Sequence, residues 1–466
     1  MKRQEKGLGA WQLTFMALGT VIGASFFLGS SVPIHAAGPS IIISFILGGA
    51  LVYFILFALS EMTVANPAVG SFRTFASQIY GQGAGFVVGW VYWTGMVFAM
   101  SSEATAISIL VRNWIPDISI ALLGIAIITG VTLINLLGAV KLSNIEGGLA
   151  AVKVLAIISF IVIAVLLVIG LFPGKAAIGV GKLASEPFMP GGLAGIAGSM
   201  LIVLFAYAGF EVIGLAASEA HHPKETVPKA IRYTVISLVG LYIISTAMLL
   251  PLIPTASLSE NKSPIVAALN SSGIGWAGTA INIVLIFAIL STMLAAMFGL
   301  GRMMRSLVDE GLAPAWLKDK KDVPYRGILF SGAAMHMALG LGLLFPSVYL
   351  FLISSGGFAL LFSYVVIMAT HIRFRRKHGC PPDGKCQMWG FPYTSYFVLI
   401  FLIAAIVSMP FIKGQTSGLI AGSIIVVFYL LSYLVIRYFK RKDIAVDHKH
   451  TRMQMEASTE ITRNKE

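Results

Sequence analysis

Charge is what this chain has least of. Only 11% of its 466 residues are Asp, Glu, Lys or Arg, while 57% are hydrophobic and the mean hydropathy is +0.87. That scarcity excludes a water-soluble globule, because a chain of this length cannot hide so much apolar surface in its own core. Cysteine is nearly absent as well. Cys380 and Cys386 are the two present, in "HGCPPDGKC", and on an inner loop they are expected to stay reduced. His371 and His378 stand nearby, but the spacing matches no standard zinc pattern, and no metal or cofactor is expected. A membrane barrel is excluded, since its strands would alternate in polarity rather than run continuously apolar. Also lacking are a metal-ligand cluster, a nucleophile beside a base and a phosphate-binding loop, which argues against an enzyme.

What is present is long apolar runs. "IIISFILGGALVYFILFALS" and "VLAIISFIVIAVLLVIGLF" each meet the requirement of about 20 residues for a membrane-spanning helix. Twelve spans are predicted, near 11–35, 39–63, 84–110, 117–139, 148–171, 194–217, 230–253, 275–304, 327–345, 349–371, 393–413 and 416–440. The first is too long for a signal peptide and lacks a small-residue cleavage site, so it is expected to be retained. The polar tail 441–466 is expected to be disordered.

The net charge of +13 suggests nucleic acid until it is mapped. Arg112, Lys175, Lys182, Lys262 and Lys413 fall on outer loops and Lys153 falls inside a span; the other lysines and arginines gather on the opposite side. This is the positive-inside pattern, which predicts a cell-membrane protein with both termini in the cytoplasm. The basicity concerns topology and anionic lipid, not DNA.

Two spans read as built to come apart, the alternative being that their small residues only make room for close-packed neighbours. "LGTVIGASFFLG" (18–29) and "LFAYAGFEVIGL" (204–215) place small residues at mid-span. They lie five spans apart, so the two helices enter the bilayer from opposite sides, as an inverted repeat requires. Repeat one would cover about 11–171, repeat two about 194–371, with two extra helices over about 393–440. Gly19, Gly23 and Ser25 weaken helical propensity. Unwound backbone in lipid survives only where a cavity's contents satisfy its amides and carbonyls. Free N–H groups at the start of the second half-helix suit a carboxylate, and carbonyls ending the first half suit an ammonium. A site offering both is suited to a zwitterion.

"AGPSIIISFILGGALVYFILFALSEMTVANP" (37–67), "GSFRTFAS", "FAYAGFEVIGLAASEAHHPKETVPKAI" and "GRMMRSLVDEGLAPAWL" together resemble the amino-acid permeases of the amino acid–polyamine–organocation superfamily. The resemblance runs from about residue 8 to 440. It implies an all-α polytopic fold of the leucine-transporter type, with a 5+5 inverted repeat and the first and sixth helices broken. It further implies that the substrate carboxylate meets the amides of Ala24 and Ser25 beside Gly23. The α-ammonium would meet carbonyls of Val21, Phe205 and Ala208 around Ile22, and Phe205 would close the site as an aromatic gate. Many relatives have Gly where Ser25 stands, so a hydroxymethyl here alters the pocket.

Ionisable residues inside a membrane are functional candidates. Lys153 lies one to two turns into the fifth span; snorkelling to the interface is the simpler reading. The resemblance places a lysine here, where sodium sits in sodium-coupled relatives. A tethered ammonium can replace that cation and can release and regain a proton, so proton coupling is expected. Glu103 on the third span is assigned to the pocket or to proton movement, and Glu211 resembles the family's gating glutamate. Glu61 is expected to anchor span two, and Arg302 and Arg305 to mark the inner face. Ser102, Ala206, Gly209, Met293 and Met297 are candidates for side-chain selection, although methionines more often simply pack. With no acid clearly placed for a cationic side chain, the expected substrate is a neutral L-amino acid taken up by proton symport. An amino acid/polyamine or precursor/product exchanger and a membrane amino-acid sensor are the alternatives, and the oligomeric state is left open.

Overall fold

In a bilayer every backbone N–H and C=O must find its partner within the segment, and the apolar runs accordingly form helices. The computed structural model describes residues 8–65, 70–137, 139–211, 213–214, 220–319, 323–380, 386–412 and 414–438. The tail expectation for 441–466 lies outside the described residues.

The first apolar run is divided into α1 (Ala10–Val21), α2 (Ala24–Phe27) and α3 (Ser31–Ala37). Then follow α4 (Ile41–Ala65), the short α5 (Ser71–Tyr80), α6 (Gln82–Val111), α7 (Ile120–Asn135), α8 (Ala139–Ile169) and α9 (Gly192–Ala206). The second half holds α10 (Pro223–Leu249), α11 (Pro264–Ser271), α12 (Gly275–Asp309), α13 (Tyr325–Gly342), α14 (Val348–His378) and α15 (Tyr393–Ser408), closed by α16 (Thr416–Tyr438). Among the described residues, eight helical segments are long and apolar enough to cross a membrane, and α7 and α9 are shorter apolar helices. The β-type pairing observed is one isolated bridge between Leu8 and Ala220.

Burial orders the bundle. The apolar windows of α6 and α14 are 83% and 78% buried, so these helices form its centre, whereas α16, at 6%, lies on its rim. The two central helices pack tightly because Gly95 of α6 faces Ala359 of α14; a Cβ on Gly95 would come within 2.6 Å of the Ala359 methyl. Small residues of this kind let membrane helices approach closely.

Two buried charge clusters tie helix ends together. Glu61 at the end of α4 accepts hydrogen bonds from His371 Nε2 (2.7 Å) and Arg375 Nη1 (2.6 and 2.7 Å) of α14, and from the amides of Gln387 (2.6 Å) and Met388 (2.8 Å). Arg73 of α5, fully buried, pairs with Glu310 just beyond α12 and donates to Ser306 Oγ at 2.8 Å.

One expectation is corrected. The first span breaks twice rather than once, at 22–23 and again at 28–30, so Gly19 and Ser25 lie inside helical turns. The Cα atoms of Cys380 and Cys386 lie 5.3 Å apart, so the two side chains are neighbours.

Candidate functional site

The break between α1 and α2 consists of Ile22 and Gly23, both in extended conformation. It leaves the Ala24 amide at the start of α2 without an intrahelical acceptor, and that amide finds a side chain. The Glu103 carboxylate of α6 accepts from Ala24 N–H at 2.9 Å through Oε2 and 3.1 Å through Oε1, and the Ser25 amide also donates toward it. Gly23 is what permits the approach: a Cβ there would lie 2.7 Å from Glu103 Oε1 and 3.0 Å from Oε2. The amides assigned from sequence to a substrate carboxylate are therefore engaged by a carboxylate of the protein itself.

At the other side of the break, Lys153 of α8 is fully buried and donates to the Gly19 carbonyl and, at 2.7 Å, to Thr292 Oγ1 of α12. Thr292 in turn donates to the Ile22 carbonyl at 2.9 Å. A cation thus caps carbonyls near the end of α1, where the helix dipole favours positive charge. Lys153 points inward to the broken helix, which corrects the snorkelling alternative.

The second break follows α9. Residues 207–211 form turns, and Gly209 has φ +106°, a conformation L side chains rarely adopt. Thr20 Oγ1 donates to the Gly209 carbonyl at 3.1 Å, which ties the last turn of α1 to the second break. Glu211 is buried and accepts from Tyr92 OH (2.9 Å), Tyr364 OH (3.2 Å) and the Gly209 amide (3.1 Å). It is locked to α6 and α14 at once, which suits a residue that couples the second break to the central helices.

The remaining candidates divide. Phe205 is buried and lies against Gly356 and Gly357 of α14, with Cβ positions there within 3.4 and 3.6 Å of its ring. Its carbonyl accepts from the Ala208 amide at 3.0 Å, and the Ala206 carbonyl accepts from Tyr242 OH at 3.2 Å. Val21, Ile22, Ser25 and Met293 are buried, the last beside Thr292. Ser102 returns its hydroxyl to the Ala99 carbonyl of its own helix at 2.7 Å. The sequence reading missed Thr292, Tyr92, Tyr349 and Tyr364. Tyr349 OH donates to the Ala24 carbonyl at 3.2 Å. A polar residue in an otherwise apolar span was the available signal for each, but such residues are too common to single out four.

The family model for amino acid permeases matches residues 12–452. The chain is 32% identical over 456 residues to a gamma-aminobutyric acid permease of Bacillus subtilis, covering 97% of both chains. It is 31% identical to a gamma-aminobutyric acid permease of Escherichia coli, over 90% of this chain and 92% of the other. To a protein of Bacillus subtilis named "probable threonine/serine transporter" it is 30% identical, over 94% of this chain and 96% of the other. Among solved structures it is similar in fold to the manganese transporter of Eremococcus coleocola, with a TM-score of 0.52 at 12% identity over 93% and 94% of the two chains. Broken helices facing each other in an all-helical bundle, a cation and a carboxylate at the break, and these relatives agree: the chain belongs to the amino acid permease family, multi-pass membrane transporters rather than enzymes.

Proposed function

We propose that this permease is a secondary active transporter that takes up a small neutral L-amino acid across the cell membrane together with a proton. The chain would cross the membrane twelve times with both termini in the cytoplasm. Its first ten spans would form two inverted repeats that rock about the breaks in α1 and after α9. One observation carries the substrate reading: the Ala24 amide at the α1–α2 break already holds a carboxylate, so the geometry of that amide suits one. The ammonium of the substrate would meet carbonyls of Val21, Phe205 and Ala208, and Phe205 would cover it. The names of the relatives support the class, since γ-aminobutyric acid, threonine and serine are all small zwitterions. Proton coupling is supported by Lys153, whose ammonium stands at the carbonyls of the broken helix as a bound metal cation would.

The test is reconstitution. The twenty standard L-amino acids and γ-aminobutyrate are screened for thermal stabilisation, which follows ligand occupancy. Each hit is then measured for uptake into vesicles with a proton gradient, a sodium gradient or neither. Accumulation driven by protons alone is expected. Uptake that needs internal substrate would identify an exchanger, and stabilisation with no uptake a sensor; either result rejects the symport reading.

A further inference from the structure

Resting on that reading, we propose that Glu103 is a tethered competitor of the substrate's carboxylate. Its side chain holds the amides at the α1–α2 break in the closed conformation, and transport begins when a substrate carboxylate displaces it. The consequence is a filter by chemical class. A ligand must bring its own carboxylate to take over the amides, so amines without one, polyamines included, are refused at the break.

Four observations converge on this. The Glu103 carboxylate is buried, and both of its oxygens lie within hydrogen-bond distance of a single backbone amide. That amide opens α2, directly after the break, and has no acceptor within its helix. Gly23 leaves the carboxylate its room, since any Cβ there would strike it. Finally, the far side of the same peptide group is held as well: its carbonyl, that of Gly23, accepts from the Phe26 amide at 3.2 Å and the Phe27 amide at 3.1 Å. The peptide is therefore fixed in orientation, and its N–H keeps pointing at whichever carboxylate is present. Two carboxyl groups cannot share it, because both Glu103 oxygens already occupy the space in front of that N–H. Substrate binding is thus an exchange of one charge-assisted hydrogen bond for another. The net gain in affinity comes from the rest of the ligand, which makes the empty-handed amine a poor competitor.

The experiment uses the full-length protein with acetate, L-alanine and ethylamine as probes, followed by thermal stabilisation. Acetate should leave the wild type unmoved and stabilise Glu103→Ala, where the amides are freed for a small carboxylate. Ethylamine should stabilise neither. For any amino acid that stabilises the wild type, Glu103→Ala should bind about tenfold more tightly, the worth of one such hydrogen bond that no longer has to be broken. Glu103→Gln keeps the side-chain shape with a weaker acceptor and should fall between the two, which covers the case in which the alanine variant does not fold. Loss of amino-acid binding in both variants, without stabilisation of Glu103→Ala by acetate, would overturn the proposal and make Glu103 a direct holder of the substrate. If acetate stabilises Glu103→Ala while no amino acid binds any form, the amino-acid reading fails and the competitor stands. If amino acids bind the wild type but acetate has no effect on Glu103→Ala, the competitor alone fails.

Discussion

Lys153 Nζ lies 2.7 Å from Thr292 Oγ1, and the same hydroxyl donates to the Ile22 carbonyl at 2.9 Å. One buried ammonium thus holds the last turn of α1 directly at Gly19 and the break itself through the Thr292 hydroxyl at Ile22. If Lys153 carries the coupling charge, Lys153→Ala should separate binding from drive. A gradient of one pH unit is worth about 1.4 kcal/mol per proton and can hold about a tenfold concentration ratio. The wild type should approach that ratio in vesicles, and Lys153→Ala should stay near equality while still exchanging labelled substrate. Full pH-driven accumulation by the variant would remove Lys153 from the mechanism.

Thr292→Val tests the indirect arm alone. Valine keeps the shape but leaves the Ile22 carbonyl and one donor position of Lys153 without their partner. A buried hydrogen bond lost in this way costs about 1–3 kcal/mol. The variant should melt earlier and accumulate substrate less than the wild type, yet more than Lys153→Ala, in the same vesicle assay.

Gly23 sets how closely any carboxylate can approach the Ala24 amide. Its φ of −141° is open to any residue, so the restriction is spatial and not conformational. A methyl group would stand 2.7 Å from the nearest Glu103 oxygen. Because that atom ends a flexible side chain, Gly23→Ala should fold nearly as well as the wild type. Misplacement of about 1 Å at the site nevertheless costs about a hundredfold in rate. Uptake measured with saturating substrate should fall by that order, and an unchanged uptake rate would show that no carboxylate uses this amide during transport.

Glu61 has a different weight. Five donor contacts converge on a side chain that is fully buried, and Arg375 beside it is 10% exposed. Glu61→Ala leaves that guanidinium and two amides without their acceptor, at a cost of about 3–5 kcal/mol. A large drop in the thermal midpoint is expected, with the substrate Kd of the surviving folded fraction unchanged. A changed Kd at an unchanged midpoint would mean that Glu61 belongs to the transport site.

The breaks were legible because glycine, threonine and serine cluster at mid-span in both runs, although small residues also serve close helix packing. Lys153 was legible as an ionisable residue inside a span, but its partners, the Gly19 carbonyl and the Thr292 hydroxyl, lie 134 and 139 positions away and were not. Glu103 was recognisable as a site residue but its partner was not. Ala24 lies 79 positions away and contributes only backbone, which has no signature in sequence. The clusters around Glu61 and Arg73 depend on which helix ends meet at one face, a property of the whole bundle that no local pattern encodes.

Arg73 and Glu310 allow an asymmetric test of one such cluster. The Arg73 side chain is fully buried, whereas that of Glu310 is 41% exposed. Removing the guanidinium with Arg73→Met preserves most of the packing and leaves a carboxylate that water can still reach. That change should cost no more than about 1 kcal/mol, as for an exposed pair. Removing the carboxylate with Glu310→Ala leaves a buried cation with Ser306 as its remaining side-chain acceptor, at a cost of about 3 kcal/mol. The double variant should recover most of the loss of Glu310→Ala, because the stranded charge is gone. Thermal midpoints of the three proteins decide the matter. Equal losses from the two single variants would mean that packing of the Arg73 stem, and not its charge, holds α5 to the end of α12.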